Sequence, residues 1–118
     1  MGLFDVTQIA LERALQGAGL RQQALSNNLA NVNTPGFKRS DVDFHTSLAA
    51  ALGAGENAVS GTSFALQTDT NSSMRADGNN VDVDQEMANL TENSSEYQAL
   101  LAVAKSRLQM IQTAIGSR

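Results

Sequence analysis

The sequence has no cysteine and no tryptophan, and only one proline, one tyrosine and one histidine among its 118 residues. Without cysteine there is no disulfide, no thiol nucleophile and no cysteine-ligated zinc. The aromatics amount to four Phe and one Tyr, too few to line a ligand pocket or fill a sandwich. Ala, Leu and Val must supply most of the apolar surface, which favours helix packed on helix. Basic residues are scarce as well: eight Lys and Arg stand against twelve Asp and Glu, for a net charge of -4. No basic run is longer than Lys38-Arg39, so the clustered cations that nucleic acid requires are missing. No apolar stretch approaches the ~20 residues of a membrane-spanning helix. The opening MGLFDVTQIALERALQG has neither the basic nor the apolar region of a secretory signal. Any passage out of the cytoplasm is therefore expected to use another route.

What is present is periodicity at the two ends of one domain's length of chain. From Asp5, apolar or small residues recur at Leu11, Leu15, Ala18, Leu25, Leu29 and Val32, in alternating steps of four and three interrupted by Gln22. This is the 3.5-residue repeat of a coiled-coil stripe. It predicts a helix over 5–33, capped by Asp5 with Gln8. Thr34 before Pro35 disfavours helix, and Pro35-Gly36 suits the centre of a type II turn. Residues 34–46 read as that turn followed by an extended segment.

A second helix is predicted over 82–115. Its stripe is Val83, Met87, Leu90, Ser94, Tyr97, Leu101, Ala104, Leu108, Ile111 and Ile115. Asp82 with Gln85 caps the start, and acids early with Lys105 and Arg107 late complement the helix dipole. Residues 47–80, rich in Ala, Gly, Ser, Thr and Asn, read as a flexible low-complexity middle in which SFALQT is a candidate short strand. The fold class expected is mainly α, a long antiparallel coiled-coil hairpin with a poorly structured, partly β middle. The apolar flank of the second helix (Leu100, Val103, Met110, Ala114) is wider than a two-stranded seam uses and points to other subunits.

Candidate chemistry is thin. Asp41, Asp43 and His45 alternate as on one side of a strand, but nothing completes a metal set, and a polar face gives the same pattern. DGNNVDVD departs from the calcium-loop register and reads as a turn leading into a capped helix. The one histidine has no nucleophile placed beside it, so no enzyme activity and no cofactor is expected.

The most specific stretch is SNNLANVNTPGFKR, residues 26–39, which carries four asparagines between Asn27 and Asn33. Two readings of those amides stay open. At a packed interface they fix register at some cost in stability; near a helix end they are simply tolerated. Phe37 is likewise either an anchor in a neighbour's groove or a turn aromatic lying on its own helix.

The stretch resembles the N-terminal signature shared by bacterial flagellar rod and hook proteins, through Ser26, Asn27, Asn28, Leu29, Ala30, Asn31, Thr34, Pro35, Gly36, Phe37 and Lys38. RADGNNVDVDQEMANLTENSSEYQ, from Arg75, is similar to the C-terminal region of the FlgB family of proximal rod proteins. The resemblance implies a structural subunit whose N- and C-terminal helices pair at the inner wall of a hollow tube. It implies export through the flagellar type III apparatus and a place in the periplasmic rod, where the work is to transmit torque and line the export channel. The partners implied are copies of itself, an FlgC-like rod subunit, the ring adaptor FliE and the export gate, with no small-molecule substrate. Residues expected at subunit interfaces are Leu25, Asn27, Asn28, Leu29, Asn31, Pro35, Gly36 and Phe37 from the first motif. From the second helix they are Met87, Leu90, Tyr97, Leu101, Leu108 and Ile111. The rivals are another axial protein such as FlgC, which shares the first motif, and a free-standing helical-hairpin adaptor.

Overall fold

The computed structural model describes residues 6–116. Its elements are α1 (Val6–Ala30), β1 (Ser40–Asp41), α2 (Phe44–Ala54), α3 (Glu56–Ser60), β2 (Gln67–Thr68) and α4 (Val83–Gly116). α1 and α4 run antiparallel: Asn28 meets Glu86, Ala18 and Gln22 meet Asn93, and Gln8 meets Arg107. The mainly helical hairpin read from the sequence is therefore present. α4, with 34 residues, is a rod of about 51 Å. The molecule is a slab with extents of 66 × 26 × 14 Å. At the start of α4, Asp82 accepts the Gln85 amide at 3.2 Å, as the sequence predicts. The cap expected for α1 involves Asp5, which lies outside the described residues.

The middle holds more helix than the sequence reading assigned to it. α2 begins inside the stretch taken as turn and extended chain, and α2 and α3 together occupy much of 44–60. The local reason is plain once α2 is seen. SLAAALGA is dominated by residues that lose little on entering a helix, and the Asp43 carboxylate caps it by accepting the Thr46 amide at 3.3 Å. Two residues of SFALQT do form strand: Gln67 and Thr68 pair antiparallel with Asp41 and Ser40.

The apolar core is small. Ala14, Ala18, Ala24, Val42 and Phe44 form it, with Leu48, Phe64 and Leu100 against it. Phe44 comes so close to α1 that a Cβ at Gly17 would sit 2.5 Å from the Phe44 Cβ. The phenylalanine occupies a notch that only glycine leaves open. Among the described residues eight apolar and six polar side chains are buried. Amide and ionic matching therefore shares with apolar burial the job of setting register.

The stripe that α4 turns toward the rest of the chain is not the apolar series. Glu86, Asn93, Leu100 and Arg107 recur every seventh residue and make the internal contacts. Met87, Ser94, Leu101 and Leu108 each lie one residue further on, about 100° around the helix. That rotation leaves Met87, Tyr97, Leu108 and Ile115 between 39% and 55% exposed. The apolar stripe therefore does not close within the hairpin: Leu90, Ser94, Leu101, Ala104 and Ile111 are half-buried at its edge, and Val83, Met87, Tyr97, Leu108 and Ile115 are exposed.

Candidate assembly interface

The end of α1 explains much of the first motif. After Ala30 the helix tightens, with the Val32 amide on the Leu29 carbonyl at 3.3 Å and the Thr34 amide on the Asn31 carbonyl at 3.0 Å. The Phe37 amide then donates to the Thr34 carbonyl at 3.2 Å, with Gly36 at φ +75°. That is the type II turn expected of Pro35-Gly36. Carbonyls left over at a helix end need donors, and the second motif supplies them. Buried Asn79 gives its amide protons to the Asn31 and Thr34 carbonyls, both at 2.9 Å. Arg75 donates to the Val32 carbonyl and, at 2.7 Å, to that of Val81. The Gly36 amide donates to the Asp77 carbonyl at 2.8 Å, and Lys38 to the Gly78 carbonyl. The two stretches that carry the resemblance, some forty residues apart, interlock as one knot.

Three of the four asparagines have distinct places in it, and Asn33 is exposed. Asn28 is wholly buried; its amide donates to the Ser40 carbonyl at 2.7 Å and accepts from the Ser40 N–H at 2.9 Å. This reproduces the pair of bonds a neighbouring strand would make. Asn28 also donates to Glu86 at 3.3 Å. Asn31 reaches back to the Asn27 carbonyl at 2.8 Å, and Thr34 donates to the Asn31 side chain at 3.1 Å.

A chain of charges runs through the knot. Glu86, with no exposed surface, accepts from Arg39 Nε. Arg39 also pairs with Asp41 at 3.4 Å and Asp69 at 3.3 Å, and Arg21 pairs with Asp41 at 2.8 Å. Burial opposes the charge on both guanidiniums, yet the carboxylates outweigh it and raise their pKa values. Burial likewise opposes ionised Asp41, but the Arg21 hydrogen bond, the Val42 amide and the two arginine charges hold its pKa below the ordinary value. Asp69 is lowered to about 2, chiefly by the Ser72 hydroxyl and then by the Asn71 and Ser72 amides.

The sign follows directly. Both carboxylates titrate lower when folded, so their stabilisation is complete above the unfolded value of about 4 and is lost as pH falls toward 2. The urea midpoint of the purified chain should hold between neutrality and pH ~5 on their account and decline below ~4. Asp69→Asn should shallow that decline. An identical acid limb in the variant would show that Asp69 is not held this way.

The three residues read as an alternating set part company. Asp41 is in β1 beside Arg21, Asp43 caps α2, and His45 lies 2.5 Å from Glu96 on α4. Of the expected interface residues, Leu25 and Asn28 are buried inside the chain and offer nothing to a neighbour. Leu29, Asn31, Phe37, Leu90, Leu101 and Ile111 are half-buried, while Asn27, Pro35, Gly36, Met87, Tyr97 and Leu108 are exposed. Beside the α4 stripe a groove of about 680 Å³ opens between the helices, lined by Gly19, Gln22, Gln23, Ser26, Asn27, Ser94 and Tyr97. The sequence did not show the roles of Arg39, Asn79, Glu86 and Asn93, nor that of Asn80, which accepts the Arg39 amide at 2.7 Å and donates to the Asp69 carbonyl at 2.8 Å. The seven-residue spacing of Glu86, Asn93, Leu100 and Arg107 was the signal available.

Comparison with known proteins identifies the family. A family model described as "Flagella basal body rod protein" matches residues 10–38, from the first half of α1 through the turn. The flagellar basal body rod protein FlgB of Bacillus subtilis is 35% identical over 126 residues, covering 98% of this chain and 97% of that protein. The chain belongs to the FlgB family. FlgB of Aeromonas hydrophila is 36% identical, covering 89% of each chain. That of Borrelia hermsii is 35% identical, covering 82% of this chain and 86% of its own. This FlgB-family chain is a structural subunit of the flagellar basal body rod. Among the described residues no helix is long and apolar enough to cross a membrane.

Proposed function

We propose that this subunit stands at the proximal end of the rod, in the periplasm, after export through the flagellar type III apparatus. There it transmits torque and lines the export channel. Its neighbours are further copies of itself, an FlgC-like rod subunit, the ring adaptor FliE and the export gate. The observation that carries the reading is the outward apolar stripe on α4. A hairpin with Met87, Tyr97, Leu108 and Ile115 in water has a face suited to burial against another protein. The exposed turn at Pro35-Gly36 and the exposed Asn27 are the polar contacts assigned to adjacent subunits, with half-buried Phe37 as the anchor beside them.

The test is the double substitution Met87→Glu with Leu108→Glu. Because both side chains are about half exposed, the purified chain should keep its helical content and lose no more than about 0.5 kcal/mol of stability. Cells carrying it in place of the natural chain should be non-motile, with basal bodies that lack a rod. Swimming cells with complete rods would overturn the assignment of this stripe.

A further inference from the structure

α4 carries two contact faces about 100° apart. Glu86, Asn93, Leu100 and Arg107 meet the rest of the chain. The apolar stripe beside them is open, with Val83, Met87, Tyr97, Leu108 and Ile115 exposed. Its four-three alternation runs without a break from Val83 to Ile115, and a seam of that period packs against another of the same period. The stripe of α1 cannot supply it, because Leu11, Leu15, Ala18, Leu25, Leu29 and Val32 are buried or half-buried within the chain. Among the described residues the long seam left open is that of α4 itself.

We infer that α4 pairs antiparallel with α4 of a second copy, across a two-fold axis beside Ala99. One register uses every position of the seam. Val83 comes level with Ile115 of the copy, Met87 with Ile111 and Leu90 with Leu108. Nearer the axis the small residues Ser94 and Ala104 face each other, and Tyr97 meets Leu101. Sliding the copy by one heptad either way leaves two seam positions uncovered and sets Ser94 against Tyr97 or Ile111.

Charge fixes the direction. Asp82, Asp84, Glu86, Glu92 and Glu96 occupy the start of α4, whereas Lys105 and Arg107 lie in its later half. A parallel pair would set the acids against their own copies, which is unfavourable. The antiparallel pair sets them against the basic half, with exposed Lys105 level with the turn that carries exposed Glu92. Because α1 packs about 100° from the stripe, α1 and its copy fall on one side of the pair. The four helices then each run antiparallel to their neighbours, as in a four-helix bundle.

Size sets the strength. A helix of 34 residues and 10–12 Å in width offers roughly 500–600 Å² on one side. That is below the ~800 Å² each partner gives to a stable interface and in the range of transient ones. The chain is therefore single in dilute solution and paired when concentrated. A two-fold contact closes on itself and cannot lengthen a rod, so the pair is a state of the free chain, and it covers the stripe that neighbours in the rod compete for. That competition rests on the rod-subunit reading above; the pairing rests on α4 alone.

The absence of cysteine makes a clean test. Purified Ser94→Cys and Ala104→Cys chains are mixed at high concentration and oxidised. The disulfide-linked heterodimer is expected as the main product, with neither variant cross-linking alone. In the antiparallel register each residue lies ten positions, or about 15 Å, from its own copy, beyond the ~7 Å that a disulfide spans. Self-cross-linking of Ser94→Cys alone would mean a parallel pair, and no heterodimer would mean no pair; either result overturns the inference and leaves the rod reading intact. As a second probe, sedimentation equilibrium of the natural chain should show the mass rising from one chain toward two with concentration. Tyr97→Glu, at an exposed position, should keep its helical circular dichroism and lose that rise. A rise unchanged in the variant would reject the stripe as the pairing surface.

Discussion

Arg39→Ala should lower the unfolding free energy of the purified chain by about 3–5 kcal/mol, enough to leave much of it unfolded. Glu86 has no exposed surface, and Arg39 is the basic group bonded to it. Arg39 also lies within 3.3–3.4 Å of Asp69 and Asp41. Removing it strands one buried carboxylate and crowds two others, and a buried charge without its partner is among the costliest single defects. Lysine should not substitute well, because a point charge on a flexible stem cannot serve several carboxylates as a planar fork does. Adding Glu86→Gln to Arg39→Ala should recover part of the loss by removing the stranded charge. Urea unfolding followed by circular dichroism measures all three. A loss below about 1 kcal/mol, the range of an exposed pair, would mean that this pair does not hold α4 to the knot.

The same ionic cluster marks where the sequence could be read and where it could not. Both long helices, the type II turn at Pro35-Gly36 and the Asp82 cap rest on local rules, which act within a few residues. The direction in which α4 faces does not. Apolar periodicity selects Met87, Leu101 and Leu108, but the chain turns Glu86, Asn93 and Leu100 inward because Arg39, the Ala18 carbonyl and the small apolar core await them from distant segments. An amide such as Asn93, bonded at 2.9 Å to both the Ala18 carbonyl and the Gln22 side chain, counts as polar in any hydropathy pattern. It is nonetheless an internal residue. The asparagine question resolves the same way. Asn28 serves the fold, the Asn31 carbonyl joins the helix end to Asn79, and Asn27 and Asn33 remain exposed to a neighbour. α2 escaped notice because Ala, Gly and Ser read as low complexity until Asp43 and Phe44 are seen to fix its start.

Gly17→Ala and Gly19→Ala should move stability in opposite directions. Alanine in a helix interior ordinarily gains about 0.5–1 kcal/mol over glycine. Gly19 has nothing within 4 Å of its Cβ position, so there the gain should be realised as a higher melting temperature. At Gly17 the new methyl would meet the Phe44 Cβ at 2.5 Å, Cγ at 2.6 Å and Cδ2 at 2.9 Å. These atoms begin a side chain at the very start of α2 and are not a flexible tip, so the helix itself must back away. Overpacking of this kind costs about 1–3 kcal/mol, which exceeds the propensity gain. If the clash is the cause, the penalty should shrink once the ring is gone, leaving only the Cβ contact. Phe44→Ala alone should cost about 3–5 kcal/mol, and Gly17→Ala added to it should cost less than it does in the natural chain, a departure from additivity. Equal behaviour at the two glycines would mean that Phe44 does not sit in the Gly17 notch, and the docking of α2 on α1 would have to be redrawn.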